Sequence, residues 1–190
     1  MIQSDLTKTK SLGADLRALR KARGLTLSDL ASALDRSVGW VSQVERDLSE
    51  PSVFDLKQIA KTLEVPVSIL FGQAQTPAQE AGIIVRKHAR RPIGSKEQGL
   101  VEELLSPDLT DDFEMVHSTF DSGATMEEAV TRPTQEVGYL VSGKLDLVIG
   151  GQSFTVSAGD SFRIKGASYQ WANPYSEPAV AIWVIAPPVY

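Results

Sequence analysis

The apolar residues of this chain keep two different periods, and the change between them limits the fold more than any other feature. Up to about residue 71 they recur every three or four positions. Leu12, Leu16 and Leu19 share one face, Leu27, Leu30, Ala31 and Leu34 a second, Val38, Val41 and Val44 a third, and Leu56, Ile59, Ala60 and Leu63 a fourth. Such spacing lines one side of a helix, and the breaks between the stripes, Gly24 among them, predict separate helices. Pro66 suits the first turn of a fifth, short helix ending near Phe71-Gly72. Thr26 with Asp29 three residues on has the form of a capping box, and Ser37 is a suitable N-cap for the third helix.

From residue 73 to 82 the run QAQTPAQEAG has no periodic apolar face and reads as a linker. Beyond it come short apolar or alternating runs, GIIV, KLDLVIGG, QSFTVSAGDSF and AVAIWVIA, bounded by Gly, Pro, Asn and Ser. These predict the strands of an antiparallel barrel or sandwich. Gly150-Gly151 lies between two alternating runs, as a two-residue hairpin turn requires. The expected organisation is α then β: a helical domain over 10–72, a linker over 73–82 and a β domain over 83–190.

Composition narrows the chemistry. The 190 residues include no cysteine and two histidines, His88 and His117, so disulfides, thiolate metal sites and cysteine nucleophiles are excluded and imidazole chemistry has little to work with. There is no run of about 18 apolar residues and no apolar segment in MIQSDLTKTK, so a cytoplasmic protein without membrane contact is expected. The net charge of −5 is uneven: residues 8–46 carry 8 basic against 4 acidic side chains, with Arg17, Arg20, Lys21 and Arg23 clustered. A basic segment on an acidic chain suits a phosphate-facing surface, although a solvated helix face is the commoner cause of one cluster.

The spacing Thr26–Leu34, Asp35-Arg36, Ser37–Arg46 is a helix, a tight turn and a second helix, the arrangement that sets a helix into a major groove. From Leu12 to Phe71 the chain resembles the XRE family, the lambda-repressor/Cro-like helix-turn-helix domain of five helices: GLTLSDLA, VSQVER, PSVFDLKQIAKTLEVP and LF occur in the family's order. One departure is Asp47, where the family usually has Gly after ER; Asp tolerates the left-handed backbone such a turn needs. The resemblance implies that the helix beginning at Ser37 reads base edges through Val38, Gly39, Ser42 and Gln43, with Trp40 near the groove wall or packed inside. Gln43 suits adenine and Val38 a thymine methyl. Thr26, Ser28, Ser37 and Arg46 suit phosphate, with Arg20 and Lys21 as further candidates. Glu45 is expected to pair with a basic residue of the bundle. A single domain of this kind covers one half-site, so the partners expected are double-stranded DNA with a pseudo-palindromic operator and a second copy of the chain.

From about Glu114 to Ala186 the chain resembles a cupin, the double-sheet barrel also called a double-stranded β-helix or jelly roll. EVGYLVSGKLDLVIGG, the Gly159-Asp160 turn and Asn173-Pro174 carry the resemblance. Cupin enzymes hold a divalent metal with histidines and one carboxylate; at those positions this chain has Val130, Arg132, Glu136 and Tyr169. Only the carboxylate is a ligand of the expected kind, so the resemblance implies no metal and no cofactor. Arg132 and Glu136 are expected to share a cavity with Tyr169 and Trp171, as an effector site for an anionic or zwitterionic small molecule, or as a pair that plugs the barrel. Strand parity adds Gly138, Leu140, Asn173, Phe162 and Ile164 to the inward set, with Val130 and Met126 at the mouth.

The reading that follows is a ligand-responsive, sequence-specific transcriptional regulator with a metal-free cupin domain that dimerises, and not an enzyme. Its rivals are a metal-dependent cupin oxygenase or epoxidase bearing a helix-turn-helix, which the missing histidines disfavour, and a DNA-binding protein whose barrel is purely structural.

Overall fold

The computed structural model describes residues 11–70, 77–94 and 97–188. The predicted end of the fifth helix at Phe71-Gly72 and the linker's first residues, 73–76, lie outside the described residues. Two compact units emerge, one running to Arg91 and including Pro107–Thr110, the other formed by Pro92–Ser106 and the chain from Asp111.

The helical unit contains α1 (Leu12–Ala22), α2 (Leu27–Ala33), α3 (Val38–Val44), α4 (Val53–Thr62) and α5 (Val67–Leu70). Each of the first four starts on a side-chain cap: the Ser11, Thr26, Ser37 and Ser52 hydroxyls accept from the amides of Ala14, Asp29, Trp40 and Asp55. At Thr26 and Ser52 the third helical residue, Asp29 or Asp55, returns the bond to the cap's own amide. Reciprocal capping satisfies two amides that a helix end otherwise leaves open. The apolar stripes converge on one core in which Leu16, Leu19, Leu30, Val41, Val44, Leu56, Ile59, Leu63 and Ile69 are buried.

Three of the helix breaks place a non-glycine residue in the left-handed region: Asp35 (φ 52°), Asp47 (φ 57°) and Glu64 (φ 55°). Asp47 is held there by what its carboxylate does. It accepts from the Gly13 amide at 2.9 Å and from the Ser11 hydroxyl, joining the end of α3 to the start of α1. Gly13 permits that approach, since a Cβ there would stand 2.4 Å from the Val44 carbonyl oxygen.

The β unit forms two sheets. The larger, of six strands, runs β1 (Arg91–Ile93), β2 (Leu100–Leu104), β3 (Glu114–Phe120), β9 (Ala179–Ala186), β4 (Gln135–Ser142), β7 (Ser161–Lys165); the smaller runs β6 (Gln152–Ser157), β5 (Lys144–Ile149), β8 (Tyr169–Ala172). The ladders from β2 to β9 are antiparallel. Among the described residues the sheets do not close into one continuous ladder; Thr125↔Ala172 and Val130↔Tyr169 add isolated bridges. The β5–β6 turn is Gly150-Gly151, both at positive φ, with Ile149 opposite Gln152. That double positive φ is the mirror-image turn whose twist matches the flanking strands.

Alternation along the strands decides what faces the core. On β4 Glu136, Gly138 and Leu140 are buried while Val137 and Tyr139 are exposed; on β8 Tyr169 and Trp171 are buried. Phe120 of one sheet meets Trp171 of the other edge-on at 4.7 Å between ring centroids. Gly138 faces Phe162 in register and leaves room for its ring, since a Cβ would lie 2.3 Å from it. The apolar run Gly82–Val85 forms no strand, and Ile83 and Ile84 are exposed. A run of four apolar residues is compatible with a strand but does not specify one, since periodicity alone cannot supply the pairing partner.

Candidate DNA interface and cavity between the sheets

α2, the turn at Asp35 and α3 form the helix-turn-helix. Ser37 caps α3, Val38 is 46% exposed, Gly39 and Gln43 are exposed, and Ser42 is half-buried. A Cβ at Gly39 would meet nothing closer than 3.9 Å, so its lack of a side chain is not a packing requirement. Val41 and Val44, on the opposite side, are core. Trp40 is half-buried beneath the Arg36 guanidinium, 5.1 Å from its ring centroid, and Arg36 in turn donates to Asp55 of α4 at 2.7 Å. The ring therefore packs within the bundle and only part of it faces solvent. The hydrogen bonds from Ser52 and then Arg36 hold the Asp55 carboxyl below its usual range.

Thr26 and Ser28 lie exposed at the start of α2, the Thr26 hydroxyl shared with Asp29 at 2.6 Å. Arg46 is exposed, its Nε donating to the Ser42 carbonyl at 3.0 Å. Arg20 is not available to phosphate. It is buried and grips Glu45 with a two-pronged contact, Nε to Oε1 at 2.5 Å and Nη2 to Oε2 at 2.9 Å, while Nη1 reaches the Leu25 carbonyl at 2.7 Å. The hydrogen bond to Glu45 raises the guanidinium's pKa above its ordinary value despite burial. Arg17, which the sequence placed only in a basic cluster and not among the phosphate contacts, lines a cleft with Leu27, Ser42 and Arg46.

Between the sheets lies a cavity of about 280 Å³ whose lining includes Val130, Arg132, Glu136, Tyr169 and Trp171. All four residues expected at an effector site thus meet in one space, with Met126 and Val130 beside them. The expected ion pair is loose: Arg132 Nη1 is 4.0 Å from Glu136 Oε1, and the Arg132 side chain is 40% exposed against 2% for Glu136. Glu136 accepts from the Thr134 hydroxyl at 2.7 Å. Burial, and next the charge of Glu136, hold the Tyr169 phenol well above its usual range, so it is a neutral donor at physiological pH. Asn173, placed inward by parity, is fully buried but serves the chain itself, its amide donating to the carbonyls of Phe120, Asp121 and Glu177.

Glu102 of β2 was missed by the sequence reading. It lines the same cavity and accepts from Ser118 at 2.9 Å. Burial raises its carboxyl above the ordinary range, opposed by the Ser118 bond and Arg132 and reinforced by Glu136. The two adjacent glutamates of LVEEL conceal which of them faces in.

The donor set does not fit a divalent metal. A guanidinium stands where a cation's ligand would be needed, and among the described residues no three His, Asp or Glu side chains converge as a metal site.

A capped helix-turn-helix followed by a two-sheet β unit defines a two-domain DNA-binding regulator. The Helix-turn-helix domain family matches residues 11–68, and the Cupin domain family matches residues 116–185. The HTH-type transcriptional regulator SutR of Escherichia coli is 32% identical over 154 residues, 80% of this chain and 80% of that protein. The HTH-type transcriptional regulator PuuR of the same species is 25% identical over 165 residues, 85% of this chain and 86% of that one. Among solved structures, an HTH_3 family transcriptional regulator from Vibrio cholerae covers 97% of this chain and 99% of its own at 21% identity and a TM-score of 0.45. The chain belongs to the family of HTH-type transcriptional regulators, and it carries a C-terminal cupin domain. No helix among the described residues is long and apolar enough to cross a membrane.

Proposed function

We propose that this regulator binds a pseudo-palindromic operator as a homodimer, reads it with α3, and responds to a small molecule held between the sheets of a cupin double-stranded β-helix. The observation that carries the reading is the division of α3 into two faces. Val41 and Val44 anchor it in the core, while Val38, Gly39 and Gln43 stand free of the bundle at its outer side, with Ser42 half-buried beside them. Gln43 offers a bidentate amide to adenine, Val38 an apolar contact to thymine, and Ser42 a hydroxyl for either kind of edge. Thr26, Ser28, Ser37 and Arg46, with Arg17 and Lys21, supply hydroxyls and cations to phosphates on either side. Trp40, tied up under Arg36, supports α3 and touches the groove wall with its exposed edge.

A homodimer is supported by the outer face of the larger sheet. Val137, Tyr139 and Val141 of β4 point outward, and Val137 stands opposite the exposed Val184 of β9. A second copy suits this apolar face because two half-sites need two helical units. The effector role is supported by a cavity that the loose Arg132–Glu136 pair leaves open. Ligand acts on transcription by favouring one disposition of the paired helical units over another.

The test is selection of bound duplexes from a random pool, with sedimentation of the selected complex. An enriched inverted repeat carrying two protein chains is expected. Absence of enrichment above a scrambled pool, or one chain per duplex, overturns the reading.

A further inference from the structure

Among the described residues, Glu97, Glu102 and Glu136 line the cavity between the sheets against one guanidinium, that of Arg132. Glu136 is almost wholly buried, and the Arg132 guanidinium is half-exposed and 4.0 Å away, at the limit of an ion pair. Glu102 lines the same cavity as Glu136, whose charge adds to the rise of the Glu102 carboxyl that burial causes. Two like charges brought together in a space of low polarity are unfavourable unless a cation or a proton joins them. The rest of the wall is apolar and aromatic, including Phe120, Trp171 and Trp183. Ring faces attract cations, and more strongly where water is excluded.

Resting on the proposed effector role, we infer that the molecule sensed carries an aliphatic ammonium group, seated between the carboxylates of Glu102 and Glu136 and against the Trp171 and Phe120 rings. The cavity's size suits a small metabolite. At about 280 Å³ it has room for on the order of ten non-hydrogen atoms, taking the volume of a water as the unit. The approach is acidic too: an open cleft lined by Glu97, Asp121, Glu127 and Glu128 shares Glu97 with the cavity. A cleft of one sign raises the local concentration of the opposite ion. These carboxylates are not gathered as a metal site among the described residues, which favours an organic cation over a metal ion. Arg132, at the more exposed side of Glu136, takes an anionic group if the ligand also carries one.

The experiment measures thermal melting and operator affinity of the full chain with three probes at matched ionic strength: n-butylammonium, butyrate and 4-aminobutyrate. The ammonium probes raise the melting temperature and shift operator affinity, and butyrate does neither. Glu102→Gln weakens n-butylammonium binding about tenfold, the worth of one charge-assisted hydrogen bond. Glu103→Gln, one residue along the same strand and pointing the other way, leaves it unchanged. Glu136→Gln is the harsher variant, because Glu136 is more deeply buried, and Glu102→Gln carries the test if it fails to fold. Binding of butyrate in place of n-butylammonium overturns the ammonium inference and leaves the effector cavity standing. If no probe alters melting or operator affinity, both fall.

Discussion

Glu45→Ala in the full chain would remove the anion that faces the buried Arg20 guanidinium. Arg20 makes three hydrogen bonds, two of them to Glu45, and the paired side chains are only 8% and 5% exposed. Truncating one partner of a buried pair leaves a charge with no counterpart, which costs about 3–5 kcal/mol. The Leu25 carbonyl still holds Nη1, which places the loss near the lower end, about 3 kcal/mol. Because Glu45 is the C-cap of α3, the loss falls on that helix. Amide exchange in α3 should accelerate about a hundredfold, a tenfold change corresponding to about 1.4 kcal/mol. The assay is hydrogen exchange read on peptides covering residues 38–47, with β-unit peptides as an internal control. Replacing both partners by apolar residues, Arg20→Met with Glu45→Leu, should restore most of the protection, since a well-packed apolar pair is often as stable as a buried ion pair. Exchange in α3 within threefold of wild type for Glu45→Ala would refute the reasoning, as would a double variant no better than the single one.

Three other perturbations follow from the geometry. Gly13→Ala forces a Cβ within 2.4 Å of the Val44 carbonyl and 2.9 Å of Asp47 Oδ1; it should shift α3 and abolish operator binding, read by gel shift, and unchanged binding would sink the close-packing account. Gly39→Ala meets nothing closer than the Ser37 hydroxyl at 3.9 Å, an ordinary contact, and should stabilise the helical unit by up to about 1 kcal/mol in urea unfolding, while changing the base preference beside it. Glu102 has a folded-state carboxyl pKa raised by burial, facing Arg132, Glu136, Tyr169 and Ser118. The folded state then binds more protons than the unfolded one, so stability falls as pH rises from the ordinary glutamate value through the raised one. Glu102→Gln should remove that decline and melt higher than wild type at neutral pH without ligand; a parallel pair of melting-versus-pH curves would contradict it.

The helical unit was legible because its signals are local. Capping boxes span four residues, helix stripes repeat within two turns, and Asp47 could be placed in a left-handed turn because the resembling family usually has Gly there. Partners distant in sequence were not legible. Arg20 looked like one of a basic cluster because Glu45 lies 25 residues away, and Gly13 gave no sign that the end of α3 crosses it. In the β unit, parity correctly grouped Glu136 with Gly138 and Leu140, and Tyr169 with Trp171, once the cupin resemblance had turned Glu136 and Tyr169 inward; β4 itself, with Val137, Tyr139 and Val141 exposed, gave no phase. Glu102 escaped because residues 83–113 lack a clear alternation, and two adjacent glutamates give no phase. The run GIIV misled for the opposite reason: it is apolar enough for a strand but has nothing to pair with.

The central claim is that α3 reads DNA sequence through the side chains it holds away from the core. Selection from a random duplex pool with wild type and Gln43→Ala tests it most directly. The account predicts one enriched inverted repeat for both proteins, with the variant losing preference at a single base position in each half-site, a discrimination of about 1–3 kcal/mol. Identical base preferences at every position would contradict it.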